Sequence, residues 1–160
     1  MLTNPDDLSL GQPFALLRIP RFGAGWKFAI VQGTGLPQLA LGPGHVPGIA
    51  LPGQVGNFAV AGHRVTAGNP VWSLPSMRPG DLVYVETVVG TFEYRVLARP
   101  DLVPAGDTAV LAPVPGQPGA RPHLRLITLI TCNPAWTGTN RVVVTGELVT
   151  IPPRERGIEG

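Results

Sequence analysis

The stretch DLVYVETVVGTFEYRVLA, residues 81–98, decides the fold class. Two β-rich runs, 81–89 and 91–98, flank a single Gly90. In the second run Phe92, Tyr94 and Val96 alternate with Glu93 and Arg95, the period of two that marks a strand with one face buried. The pair reads as a hairpin turning about Gly90.

Comparable runs lie on both sides of it. Toward the N-terminus, FALLRIP (14–20) and WKFAIVQ (26–32) are two neighbouring strands separated by the turn residues Gly23 and Gly25. NFAVAGH (57–63) reads as a strand that runs into a Gly-His-Arg turn. Toward the C-terminus, LRLITLIT (124–131) is apolar on both faces after Arg125, as a strand in a barrel wall should be, and it delivers Cys132 at its end. A nine-residue turn region with Pro134, Gly138 and Asn140 leads into the last strand, RVVVTGELV (141–149).

Two long connections separate these strands. Residues 33–56 are dense in Gly and Pro around LPQLAL (36–41), which is expected to make one or two helical turns. Residues 71–77 read as a loop or short helix anchored by Trp72 and Leu74. Residues 99–123 form a second Pro- and Gly-rich loop with an expected helical turn at 107–111. Loops of this length in a compact domain are usually functional or disordered. Residues 1–12 read as an irregular lead-in, 13–150 as one domain and 151–160 as an exposed tail. No internal repeat is visible.

The composition agrees with this reading. Gly (21) and Pro (19) make up a quarter of the 160 residues, a share at the edge of low-complexity chains, but 44% of residues are hydrophobic and only 14% charged. Their grouping into short runs indicates a folded domain with many turns, an all-β sandwich or barrel, and excludes a bundle of long helices. The net charge is +2, and the Arg residues are scattered along the sequence without interleaved aromatics, which argues against nucleic acid as a partner. One cysteine excludes an internal disulfide and a zinc site of several thiolates. No segment approaches the roughly 18 apolar residues of a membrane helix, and MLTNPDDLSL lacks the basic start and apolar centre of a signal peptide. The chain reads as soluble, or as the soluble part of a longer protein.

Cys132 lies where an apolar strand meets the polar loop TCNPAWTGTN, a place from which a rigidly held side chain can reach solvent. Thiol catalysis also needs a proton carrier and a positive charge to favour the thiolate. His45 and His123 sit in the two long loops and read as exposed loop residues. His63 ends a strand, between Gly62 and Arg64. Arg141 opens the strand after the Cys132 loop, beside the end of the Cys132 strand if the two strands are neighbours.

His63, Cys132 and Arg141, each at a strand end, together with NFAVAGHR, SMRPGD (76–81) and TLITC (128–132), resemble the sortases, cysteine transpeptidases of Gram-positive bacterial surfaces. The resemblance spans about residues 14–149, and GPGHVPGIALPGQVGNFAVAGHR (42–64) is most similar to class E, typical of actinobacteria, with class F next. It implies a closed eight-stranded β-barrel and a membrane-anchored enzyme on the outer face of the cell membrane, its anchor missing from this chain. Cys132 is then the nucleophile that cleaves an LPxTG-like or LAxTG-like sorting signal of a secreted protein between Thr and Gly, through a thioester. His63 handles protons, Arg141 binds the substrate carbonyl or oxyanion, and Thr131 supports the peptide backbone. The acceptor is an amine of a peptidoglycan cross-bridge or lipid II. Class E members often carry Tyr after the loop histidine where this chain has Val46, which leaves the second residue of the signal open between Pro and Ala. No cofactor is implied. The calcium used by another sortase class needs clustered carboxylates, and the acidic residues here are few and dispersed, so no metal is expected.

Other thiol enzymes fit less well. Papain-like proteases place Cys before His, caspases need a QACxG-like segment, chymotrypsin-like cysteine proteases flank the nucleophile with glycine, and L,D-transpeptidases carry a His-Gly-Cys-type motif absent here. Two alternatives stay open: a non-catalytic surface binding module with an inert cysteine, and a cysteine protease that only hydrolyses.

Overall fold

The computed structural model describes residues 8–33, 43–46, 49–62, 65–66, 69–70, 74–104, 109–112, 114, 117, 121–131 and 140–150. The expected helical turns at 36–41, residues 1–7 of the lead-in, Trp72 of the expected 71–77 anchor and the tail 151–160 lie outside them.

Among the described residues there are eleven strands: β1 (Pro13–Arg18), β2 (Lys27–Gln32), β3 (Gly44–His45), β4 (Gly56–Gly62), β5 (Val65–Thr66), β6 (Asn69–Pro70), β7 (Leu82–Thr87), β8 (Gly90–Val96), β9 (Asp101–Pro104), β10 (Arg125–Thr131) and β11 (Asn140–Thr150). The helical content described is three 3-10 turns, Pro20–Phe22, Leu74–Ser76 and Ala109–Leu111. Eight strands hydrogen-bond in the order β10-β4-β3-β2-β1-β7-β8-β11, and a further β10–β11 pairing closes the ring. The fold is a closed eight-stranded β-barrel, with β9 added outside the ring on β11 and β5–β6 as a small separate ribbon.

The hairpin forms with its turn one residue earlier than the sequence suggests. Thr87 pairs with Gly90, so Val88 and Val89 make the two-residue loop, and Gly90, at φ 133, is the first residue of β8. Thr87 supplies the local bonds, its Oγ1 donating to Gly90 O (3.1 Å) and accepting from Val89 N (3.2 Å). The alternation beyond it is as expected: Phe92, Tyr94 and Val96 are buried while Thr91 and Arg95 are exposed. From the facing strand Val83 and Val85 join the same interior, with Leu17, Ile30, Phe58, Val60, Ile127, Leu129 and Val144 from the rest of the ring.

β10 is apolar on both faces for a visible reason. Ile127 and Leu129 enter the barrel core, while Ile130 packs outside with Val103 and Val143, and Val110 and Leu111 cover that second cluster. The covering residues come from the Pro-rich connection 99–123, read above as loop throughout except for a helical turn. Its first part is instead the edge strand β9, with Asn140↔Pro104 through Val143↔Asp101 paired to β11, and the turn is the 3-10 segment Ala109–Leu111. Pro104 suits an outermost strand, where a missing N–H need not break a ladder.

Candidate active site

The geometry that matters begins with β4 and β10. They run parallel and in register from Arg125↔Gly56 to Thr131↔Gly62, so both strands end at the same level on the same end of the barrel. Parallel neighbours need a crossover rather than a hairpin, which is why segments about seventy residues apart in sequence can stop side by side. His63 follows Gly62 and Cys132 follows Thr131 in the sequence; both lie outside the described residues, as does the side chain of Thr131.

β11 lies antiparallel on the other flank of β10, with Ile130↔Val143 and Leu129↔Val144 paired. Its start at Asn140 therefore lies at the barrel end where β4 and β10 finish. Arg141, two residues before Val143 and thus on the same sheet face, is half-buried, and its Nε is sealed from solvent. On the outer side Arg141 pairs with Val103 of β9. Ala61, Ile130 and Val143 line up across the three strands, and Ile130 and Val143 form the apolar patch with Val103.

Next to this patch lies a buried polar pair that sequence reading did not single out. Asn57, 1% exposed, and Thr128, fully buried, are joined by a 2.6 Å hydrogen bond from Thr128 Oγ1 to Asn57 Oδ1. Asn57 Nδ2 donates to the carbonyls of Val110 (2.9 Å) and Ala112 (3.1 Å). The available signal was a polar residue opening an otherwise apolar run, NFAVAG.

The loop histidines differ from each other. His123 is exposed, as expected. His45, expected to be exposed, is fully buried: it forms the two-residue strand β3, wedged between β2 and β4. Its ring stacks on Phe58 with centroids 5.2 Å apart and meets the edge of Phe14 at 5.6 Å. Nδ1 lies 2.6 Å from Gln32 Oε1 and Nε2 lies 2.8 Å from the carbonyl of Ala50. Two acceptors suit a charged ring, but the loss of water prevails and pushes His45 down to about 4. In the neutral ring Nε2–H donates to Ala50, and a half-turn of the Gln32 carboxamide lets its NH2 group donate to Nδ1.

Gly53 is a second pin of the same connection. Tyr94 Oη accepts from its N–H at 2.8 Å, and Arg125 Nη1 donates to its carbonyl. Its φ is +80, and a Cβ there would sit 2.1 Å from the Phe92 ring, so glycine is required twice over.

Folding also gathers arginines that look scattered in the sequence. Arg21, Arg78 and Arg99 line an open groove with Asp101, Leu102 and Val142, beside the β9–β11 edge. Arg21 is held there by a two-pronged bond to Asp81, both contacts 2.9 Å, and this keeps the Asp81 carboxyl below its ordinary range.

A closed barrel in which the parallel pair β4–β10 and the start of β11 meet at one end belongs to the sortase-like class of β-barrels. The family model for the Sortase domain matches residues 17–149, and the chain belongs to that family. It is 35% identical over 162 residues to sortase SrtE1 of Streptomyces coelicolor, covering 96% of this chain and 45% of that protein. The chain thus spans less than half the length of that curated relative. Among solved structures it is similar to sortase E from Streptomyces avermitilis (38% identity, TM-score 0.81, 93% of this chain and 95% of that one). It is also similar to sortase E1 from Streptomyces coelicolor with a tripeptide in the active site (36% identity, TM-score 0.76, 92% and 94%). These relatives carry the class E designation that residues 42–64 suggested.

Proposed function

We propose that this chain is the catalytic part of a cysteine transpeptidase that cleaves an LPxTG-like or LAxTG-like sorting signal between Thr and Gly and joins the acyl fragment to a cell-wall amine. The observation that carries the proposal is the register Thr131↔Gly62, with Arg141 opening the adjacent strand. It makes Cys132 and His63 the next residues of two side-by-side strands, with a guanidinium supplied from the third.

The Cys132 thiolate attacks the Thr carbonyl, and the negative charge gathering on its oxygen is met by Arg141, most effective where water is partly excluded. The C–N bond breaks as His63, as imidazolium, gives its proton to the departing glycine amine. A thioester remains. Neutral His63 then takes a proton from the incoming amine of a peptidoglycan cross-bridge or lipid II as it attacks the thioester, and Cys132 leaves as thiolate. This is general acid–base catalysis in both directions. Thr131 contributes its hydroxyl to the peptide backbone.

Val110 and Leu111, half-buried over the closed patch of Val103, Ile130 and Val143, support the reading by offering apolar contact for the aliphatic residue of the signal. In this reading residues 99–123 form one wall of the peptide groove and residues 13–150 the catalytic domain, flanked by a lead-in and a tail. The tripeptide held in the active site of the Streptomyces coelicolor relative is consistent with a peptide groove. In this reading the enzyme works on the outer face of the cell membrane.

The test is turnover of quenched LAxTG and LPxTG peptides with and without a glycine-based amine. Cleavage at Thr-Gly, a ligated product, and loss of both with Cys132→Ala are expected. Unchanged turnover in that variant sinks the mechanism, and hydrolysis without ligation for every amine tried points to a protease. Failure of native Cys132 to react with a thiol reagent that labels the unfolded chain favours a binding module.

A further inference from the structure

The proposed reaction uses residues at one end of β4 and β10, yet the buried polar pair Asn57–Thr128 lies further down the same two strands and faces the second connection. We infer that Asn57 is a positioning residue that seats residues 109–112 on the catalytic strands and thereby sets the affinity for the sorting-signal peptide. The inference rests on the transpeptidase reading for its substrate and on the geometry for everything else.

The 3-10 turn Ala109–Leu111 is a single turn, too short to satisfy its own last carbonyls. Asn57 Nδ2 has two hydrogens and spends both on this deficit, one on Val110 O and one on Ala112 O. The amide cannot be reversed, because its oxygen would then face two carbonyls that can only accept. Thr128 completes that orientation from below, its hydroxyl donating to Asn57 Oδ1, which can only accept. Four groups therefore agree on one arrangement, with both side chains out of water.

What this arrangement holds in place is the apolar cover of the outer patch. Val110 and Leu111 pack on Val103, Ile130 and Val143, and Arg141 lies two residues from Val143 on that face. Asn57 stands on β4 six residues before His63, and Thr128 on β10 four before Cys132. The wall is thus bonded to the same two strands whose ends carry the chemistry. The sequence around the turn is dense in Pro and Gly, residues of low propensity for regular structure. Without Asn57 the wall's two carbonyls turn to water, and the peptide meets a surface that must be ordered at each binding event.

The experiment compares Asn57→Ala, Thr128→Val and Thr128→Ser with the wild type, by sorting-peptide kinetics and by hydrogen exchange of residues 109–112. Wild-type turnover comes first: no cleavage of any sorting peptide means the transpeptidase reading has failed, whereas turnover with unaltered variants means this inference has failed. Asn57→Ala is expected to speed exchange in 109–112 and raise KM by about tenfold, the net worth of one hydrogen bond, with kcat within about twofold. Thr128→Val, which keeps the shape and loses the hydroxyl, should raise KM by a smaller factor. Thr128→Ser restores the hydroxyl and should match the wild type. If Asn57→Ala does not fold, the Thr128 pair decides. Unchanged exchange, unchanged KM despite faster exchange, or a fall in kcat at constant KM each overturns the inference.

Discussion

Acidifying the protein from neutral pH toward 4 should cost it stability through His45. His45 is fully buried against Phe14 and Phe58 and pushed down to about 4, against 6.5 for a free imidazole. Above 6.5 the ring is neutral in both folded and unfolded chains and contributes no pH dependence. Between 6.5 and about 4 the unfolded chain binds a proton that the folded one refuses, so stability falls as pH falls. At about 1.4 kcal/mol per unit, the loss reaches about 2.5 kcal/mol by pH 4.5, a large part of a domain's 5–15 kcal/mol. The assay is urea unfolding of wild type and His45→Gln at several pH values. The variant should be less stable at neutral pH, since it loses the ring packing, and the gap should narrow by about 2.5 kcal/mol on reaching pH 4.5. Asp81, whose depressed carboxyl adds stability that is lost only in stronger acid, is present in both proteins and cancels in the difference. A constant gap would refute the reasoning. A gap that widens in acid would show that the two acceptors, Gln32 and Ala50, hold a proton on the ring against the cost of burial.

The other predictions concern the same scaffold and the proposed chemistry. Gly53→Ala should lower stability by about 2 kcal/mol or more in urea unfolding, because it meets both an unfavourable φ and the Phe92 ring. Tyr94→Phe should cost about 1–3 kcal/mol by the same measurement, since it leaves the buried N–H of Gly53 without its acceptor. Arg141→Lys should reduce kcat for peptide cleavage by about a hundredfold or more while leaving the urea midpoint near that of the wild type, because a point charge cannot reproduce a guanidinium fork at an oxyanion; near-normal turnover would refute the role given to it.

Local alternation carried most of the fold. Phe92, Tyr94 and Val96 announce their strand because one face is buried and the other exposed, and period two survives that arrangement. In β4 every residue is buried, so the run NFAVAG shows no alternation and hides the fact that Asn57 faces a loop rather than solvent. His45 was misread for a related reason: its neighbours are Gly and Pro, which signal a turn, while its burial comes from Gln32 and Phe58 on other strands. β9 was missed because its four residues lie among prolines and owe their strand character to pairing with β11. Near the site, the ends of β4 and β10 and the start of β11 were legible because strands end where apolar runs end. The neighbour relation of β4, β10 and β11 was not, since register between distant strands leaves no local mark.

The parallel pairing of β4 with β10 also bears on how the molecule acquires its shape. Hairpins such as β1–β2 and β7–β8 join segments close in sequence and can form early, but closing the ring requires β10 to find β4 across about seventy intervening residues, a high-contact-order step that slows folding. The core is sealed at that seam. Refolding should therefore show burial of Phe58 and recovery of any strand-end activity in one slow phase, with no stage at which the barrel is half closed and the site already assembled.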